Sequence, residues 1–98
     1  MRLVSAQFSI SSQLREHIAV RSRSFAMVVI PSLMIAREEG KNFELHLGFH
    51  DPRVLANDDP IVLVKFDDGF ELLVLQEDLL ERLDGTNLSI KRGVLAIS

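Results

Sequence analysis

Asn42-Phe43-Glu44-Leu45-His46-Leu47-Gly48-Phe49-His50 keeps a two-residue period without exception. Phe43, Leu45, Leu47 and Phe49 fall on one side, and Asn42, Glu44, His46, Gly48 and His50 on the other. Successive side chains of an extended chain point to opposite faces, so this pattern describes a strand with one apolar and one polar face. Working backwards, Glu39-Gly40-Lys41 is a plausible turn that would make 32–38 the partner of 42–50 in a hairpin. A helix over 31–39, with Pro31 at its first position and Gly40 just past its end, competes with that reading.

Further upstream, Phe25-Ala26-Met27-Val28-Val29-Ile30 is an uncharged run with β-branched content, closed by Pro31. It is expected to be a strand, buried on both faces or covered by a partner, because a bare one would be an aggregation hazard. Between Gln13 and Arg23 the signal divides. Leu14 and Ile18 suit one helix face, while Ile18, Val20 and Ser22 alternate against Ala19, Arg21 and Arg23. A short helix passing into a strand near residue 20 accommodates both. Residues 2–10 alternate again, with Val4, Ala6, Phe8 and Ile10 on one side, which predicts a half-buried strand followed by Ser11 and Ser12 as loop or helix-cap candidates.

Downstream of His50, residues 51–60 carry two prolines, Asn57, Asp58 and Asp59, which is loop chemistry. Ile61–Phe66 and Phe70–Leu75 flank Asp67-Asp68-Gly69, a strong hairpin signal. Asp78 and Glu81 have capping-box spacing, and Leu75, Leu79 and Leu83 share a helical face, so 78–84 is expected to be a short amphipathic helix stopped by Gly85. Two short strands, 87–91 and 94–97, close the chain around Arg92-Gly93.

Nearly every link in this series is short, and short links join antiparallel neighbours. The expected fold is therefore α+β and mainly β. It is a small antiparallel sheet or partly closed barrel of five to seven strands with one or two short helices. Ninety-eight residues make a single domain, 1–98, the expected organisation.

Composition narrows the function classes. At 47% hydrophobic and 26% charged the chain is globular in character, and no apolar stretch approaches the ~20 residues of a membrane span. It has no cysteine, which excludes disulfides, thiol catalysis and Cys-ligated metals. No Walker loop, dinucleotide glycine fingerprint, His-Glu-x-x-His or Gly-x-Ser-x-Gly is present. A cytoplasmic location without a cofactor is the expectation.

The net charge of −3 divides unevenly. Residues 1–37 set five arginines against Glu16 alone, whereas residues 38–98 set six basic residues against thirteen acidic ones. Two halves of a small domain lie close enough to neutralise each other, and that reading is preferred to a basic recognition arm. Arg15, Arg21 and Arg23, among nearby serines, are the one basic cluster that could hold phosphate or nucleic acid. The absence of Tyr and Trp removes the usual base-stacking platform, so nucleic acid is not the expected partner.

Glu44, His46 and His50 share a strand face and form a weak metal-site alternative, with a small metal- or carboxylate-dependent enzyme as its functional counterpart. His46 and His50 stand ~13 Å apart on an ideal strand, too far to ligate one ion at ~2 Å bond lengths. Turn chemistry accounts for Asp58-Asp59 and Asp67-Asp68. The reading these residues favour is a noncatalytic interaction module that forms a homo-oligomer or docks on a protein partner. Phe25, Met27, Val29 and Met34 are its candidate contact residues, Met being adaptable at binding surfaces.

Overall fold

The computed structural model describes residues 1–54 and 61–98. The expected loop over 51–60 and its Asp58-Asp59 pair lie largely outside those residues; Pro52–Val54 form one 3₁₀ turn.

Eight strands and two helices follow in chain order: β1 (Arg2–Ser5), β2 (Ser9–Ile10), α1 (Ser12–Arg23), β3 (Ile30–Glu39), β4 (Asn42–His50), β5 (Val62–Lys65), β6 (Glu71–Val74), α2 (Glu77–Leu83), β7 (Asn87–Lys91) and β8 (Val94–Ile97). They form a five-stranded sheet in the order β1-β5-β6-β3-β4 and a three-stranded sheet in the order β2-β7-β8. The fold is α+β and mainly β, as expected, but neither sheet closes into a barrel and the strands number eight among the described residues.

The expected antiparallel order holds only for the hairpins β3–β4, β5–β6 and β7–β8. β1 runs parallel to β5, β2 parallel to β7, and β3 parallel to β6. A parallel pair needs a long crossover, and here whole hairpins and helices serve as that crossover. Short links constrain sequential neighbours alone, so they could not reveal these three seams.

The alternation of residues 2–10 is real, but it does not make one strand. Val4, Ala6, Phe8 and Ile10 all turn inward while the chain crosses from one sheet to the other. The Ala6 N–H donates to the Lys65 carbonyl in the large sheet, and the Ser9 N–H to the Thr86 carbonyl beside the small one. Phe8, at the crossing, packs edge-on against Phe66 with centroids 5.5 Å apart.

Ser11 caps α1, its Oγ accepting from the Leu14 N–H at 3.2 Å. Leu14 and Ile18 face the core, and the helix continues to Arg23 without the expected change to strand near residue 20. Helical spacing, once nucleated by a good cap, outcompetes the weak alternation of 18–23.

The 25–30 run is likewise not a strand. Residues 24–29 form an irregular link, and β3 starts at Ile30 and continues through Pro31. Pro31 is tolerated because its one strand neighbour is β4: the pairing with β6 begins only at Ser32. β3 and β4 form the hairpin, so the helix alternative for 31–39 is set aside; Gly40 supplies the turn at φ +56°.

α2 carries its apolar residues as predicted, with Leu79 and Leu83 fully buried. Its cap differs. The helix begins at Glu77 behind Gln76, leaving Asp78 inside the first turn, where a carboxylate suits the helix dipole. The Gln76 side chain is committed elsewhere, its Oε1 accepting the Ile35 N–H at 2.6 Å. That bond prolongs the β3–β6 seam after the chain has left β6, at the point where a bulge between Ile35 and Arg37 interrupts β3. Leu72, Leu73 and Val74 of the central strand β6 are all fully buried.

Charge neutralisation between the halves is visible. Arg2 pairs with Glu77 at 3.0 Å and Arg15 with Asp68, while within the acidic half Arg82 pairs with Glu38 at 2.5 Å. Arg82 also lies over the Phe43 ring, so α2 grips the far end of the β3–β4 hairpin.

Candidate interaction surface

Ser24 ends α1 by returning both its N–H and its hydroxyl to the Arg21 carbonyl. The apolar link that follows lies on the outside of the molecule. Phe25 is 44% exposed, Met27 49% and Val28 81%. Phe25 is anchored by the Phe49 ring of β4, 5.3 Å away, and Arg21 covers the same ring at 5.5 Å. Val29 is half-buried and, with Val28, Ile18, Ala19 and Phe70, lines an open groove of ≈ 560 Å³ between α1 and the start of β3.

Met34 does not join this patch. It sits opposite His46 in the β3–β4 register, on the face that carries Ser32, whereas Phe25 reaches the face of Phe49. Of the four candidate contact residues, the structure gathers Phe25, Met27 and Val29 in one link and sets Met34 on the other side of the sheet. Val28 is the most exposed large hydrophobic side chain of the run, a residue that composition alone does not distinguish from its neighbours.

The three arginines also separate. Arg15 is held by Asp68 and lies over Phe70 at 4.4 Å and Phe66 at 5.2 Å, so it clamps the β5–β6 turn. Hydrogen bonds from Arg15, and then from the Phe70 N–H, hold the Asp68 carboxyl below the ordinary carboxylate range. Arg21 is spent on Phe49, leaving Arg23 in the last helical turn without an ion pair among the described residues. At 100° per residue, positions 15, 21 and 23 point in three directions, so a cluster in sequence is dispersed in space.

Glu44, His46 and His50 do share the polar face of β4, yet they do not converge. Among the described residues no three His, Asp or Glu groups stand close enough to hold one ion. His50 turns back over Gly48, and its Nε2 lies 2.9 Å from Ser32 Oγ. A Cβ on Gly48 would stand 3.0 Å from that hydroxyl, so the glycine is what lets the imidazole reach it. Sequence reasoning missed this pair; the signal was the register that sets Ser32 opposite Gly48. Ser32 is 1% exposed, and Asp51 is engaged by Arg53 through Nε and Nη2. Those bonds hold Asp51 below the ordinary range and turn it to Arg53, and the Ser32–His50 contact is a part-buried polar tie across two strands.

The remaining feature is an edge. β4 is the outermost strand of the large sheet, nine residues long. Among the described residues its main chain hydrogen-bonds to β3 alone. The other outermost strands, β1, β2 and β8, have four, two and four residues.

Compared with protein-family models, curated proteins and solved structures, the chain matches none. Function is therefore argued from this geometry alone.

Proposed function

We propose that the chain is a noncatalytic protein-interaction module, which self-associates or docks on a protein partner and uses the link after α1 as a contact surface. The observation that carries this reading is the exposure of Phe25, Met27 and Val28 in one uncharged stretch. Burying a side chain of this kind is worth roughly 1.5–3 kcal/mol. Three of them held outside the core leave that stabilisation for a complex, and contiguous apolar patches commonly mark such sites.

Val28→Glu separates contact from core. The variant is expected to retain the wild-type unfolding midpoint, since the side chain is already in water, and to lose the partner captured by the wild-type chain from its native host. Equal capture by the two proteins would refute the assignment. A large drop in midpoint would show that the link belongs to the core.

A further inference from the structure

We infer that β4 is a self-pairing edge. Two copies of the chain join their β4 strands antiparallel about a two-fold axis at Leu45, setting Glu44 of each copy opposite His46 of the other. This rests on the reading of the chain as an interaction module and names the partner as a second copy.

Folded proteins blunt free edges with short strands, prolines, lysines or bulges. β4 has none of these between Asn42 and His50, and the bulge of its hairpin lies on β3. β8 passes nearby without bonding to it, leaving an open groove of ≈ 350 Å³ between Leu45 and Leu47 on one side and Leu95 on the other. Asn42, Glu44 and His46 along this strand are all exposed.

The sequence of β4 restricts the register. Pairing must keep Phe43, Leu45 and Leu47 on one face, so only alignments in which residues of like parity meet are allowed. The alignment centred on His46 sets that histidine against itself and uses Phe49, which Phe25 and Arg21 already cover. Moving the centre to Leu45 needs only residues 42–48. It sets Phe43 opposite Leu47 and forms the Glu44–His46 contact twice by symmetry. Opposite-charge and hydrogen-bonding pairs directly across strands favour pairing, whereas like pairs oppose it. Both side chains are exposed and face away from the core.

The absence of cysteine makes the test clean. Glu44→Cys and His46→Cys single variants, each with the wild-type circular dichroism spectrum, are mixed in equal amounts and oxidised in air. The expected product is a mixed disulfide between positions 44 and 46, identified by peptide mass spectrometry. Light scattering of the unmodified chain should give twice 11.0 kDa. His46→Glu should weaken the dimer about tenfold by setting two carboxylates face to face, and the exchange Glu44→His with His46→Glu should restore it.

A monomer at high micromolar concentration overturns the inference, as does a dimer in which His46→Cys links only to itself. Neither outcome touches the module reading, which stands or falls on Val28-dependent capture. Loss of that capture alongside a 44–46 disulfide would remove the link as the contact and keep the edge.

Discussion

The three hairpins and the three parallel seams are built on different principles. β3–β4, β5–β6 and β7–β8 are each closed by a turn of a few residues whose backbone is specified on the spot. In the last, Arg92 and Gly93 both have positive φ, +54° and +79°, the pattern of a two-residue type I′ turn. The seams have no such local instruction. Arg2 meets Val62, Ser9 meets Asn87 and Ser32 meets Leu73, and the last two seams contain only two residue pairs each. So little backbone pairing cannot hold a seam unless side chains packed across it supply most of the stability. Local geometry forms the hairpins, and the shared core assembles them.

The sharpest way to break this contrast is Leu88→Ala. Leu88 is fully buried in β7, paired with Ile10 across a seam of only two residue pairs, and the truncation should cost ~2–5 kcal/mol in chemical denaturation. A loss below ~1 kcal/mol would mean that the seam is held by something other than packing. Gln76→Ala comes next. It strips the acceptor from the Ile35 N–H while leaving the hairpins intact, for an expected ~1–3 kcal/mol.

On the hairpin side, Gly93→Ala forces a Cβ into positive φ and should cost ~1 kcal/mol. Arg92→Asn, which supplies the side chain that type I′ turns prefer, should raise the unfolding midpoint by a few degrees at most. If turn variants proved as damaging as Leu88→Ala, the division between local and shared stabilisation would fail.

The smallest effect is electrostatic and belongs to the clamp between α1 and the β5–β6 turn. Asp68 titrates below its unfolded value because Arg15 hydrogen-bonds to the carboxylate. A depressed carboxyl contributes stability above its unfolded pKa of ~3.9 and loses it as the pH falls through the folded value. Asp68→Asn should therefore lower stability slightly at neutral pH, where the charged clamp contributes, and flatten the acid limb below about pH 4, where variant and wild type converge. Urea midpoints at a series of pH values would show this, and an unaltered acid limb would exclude the clamp as its source.

The same division explains what could be read from the sequence. The alternation of 42–50, the Asp67-Asp68-Gly69 turn and the 94–97 strand are written in residues within a few positions of one another. Their hairpins are accordingly where periodicity and turn chemistry place them. The pairing of Ser9 with Asn87 depends on surfaces assembled from the whole chain, and no local period encodes it. The 25–30 run misled for a different reason. Its hydrophobicity suggested burial, but it has no period, and Ser24 and the start of β3 at Ile30 leave it as a connection over the surface. Phe25 and Met27, expected in a strand buried on both faces or covered by a partner, lie instead in that exposed connection. The Ser32–His50 tie needed the β3–β4 register before it could be seen at all.

The crossing at Ala6–Phe8 also imposes a timetable. Residues 2–10 bond to Ile61–Lys65, Gly85–Thr86 and Asn87–Leu88, all of them in the distal half of the chain. On a ribosome this segment emerges well before the residues it bonds to and must remain unpaired until they have been synthesised. Its alternating apolar side chains are exposed throughout that wait, and closing so long a loop is slow. The segment that fastens the two sheets together is thus made long before its partners and is among the last to find its place.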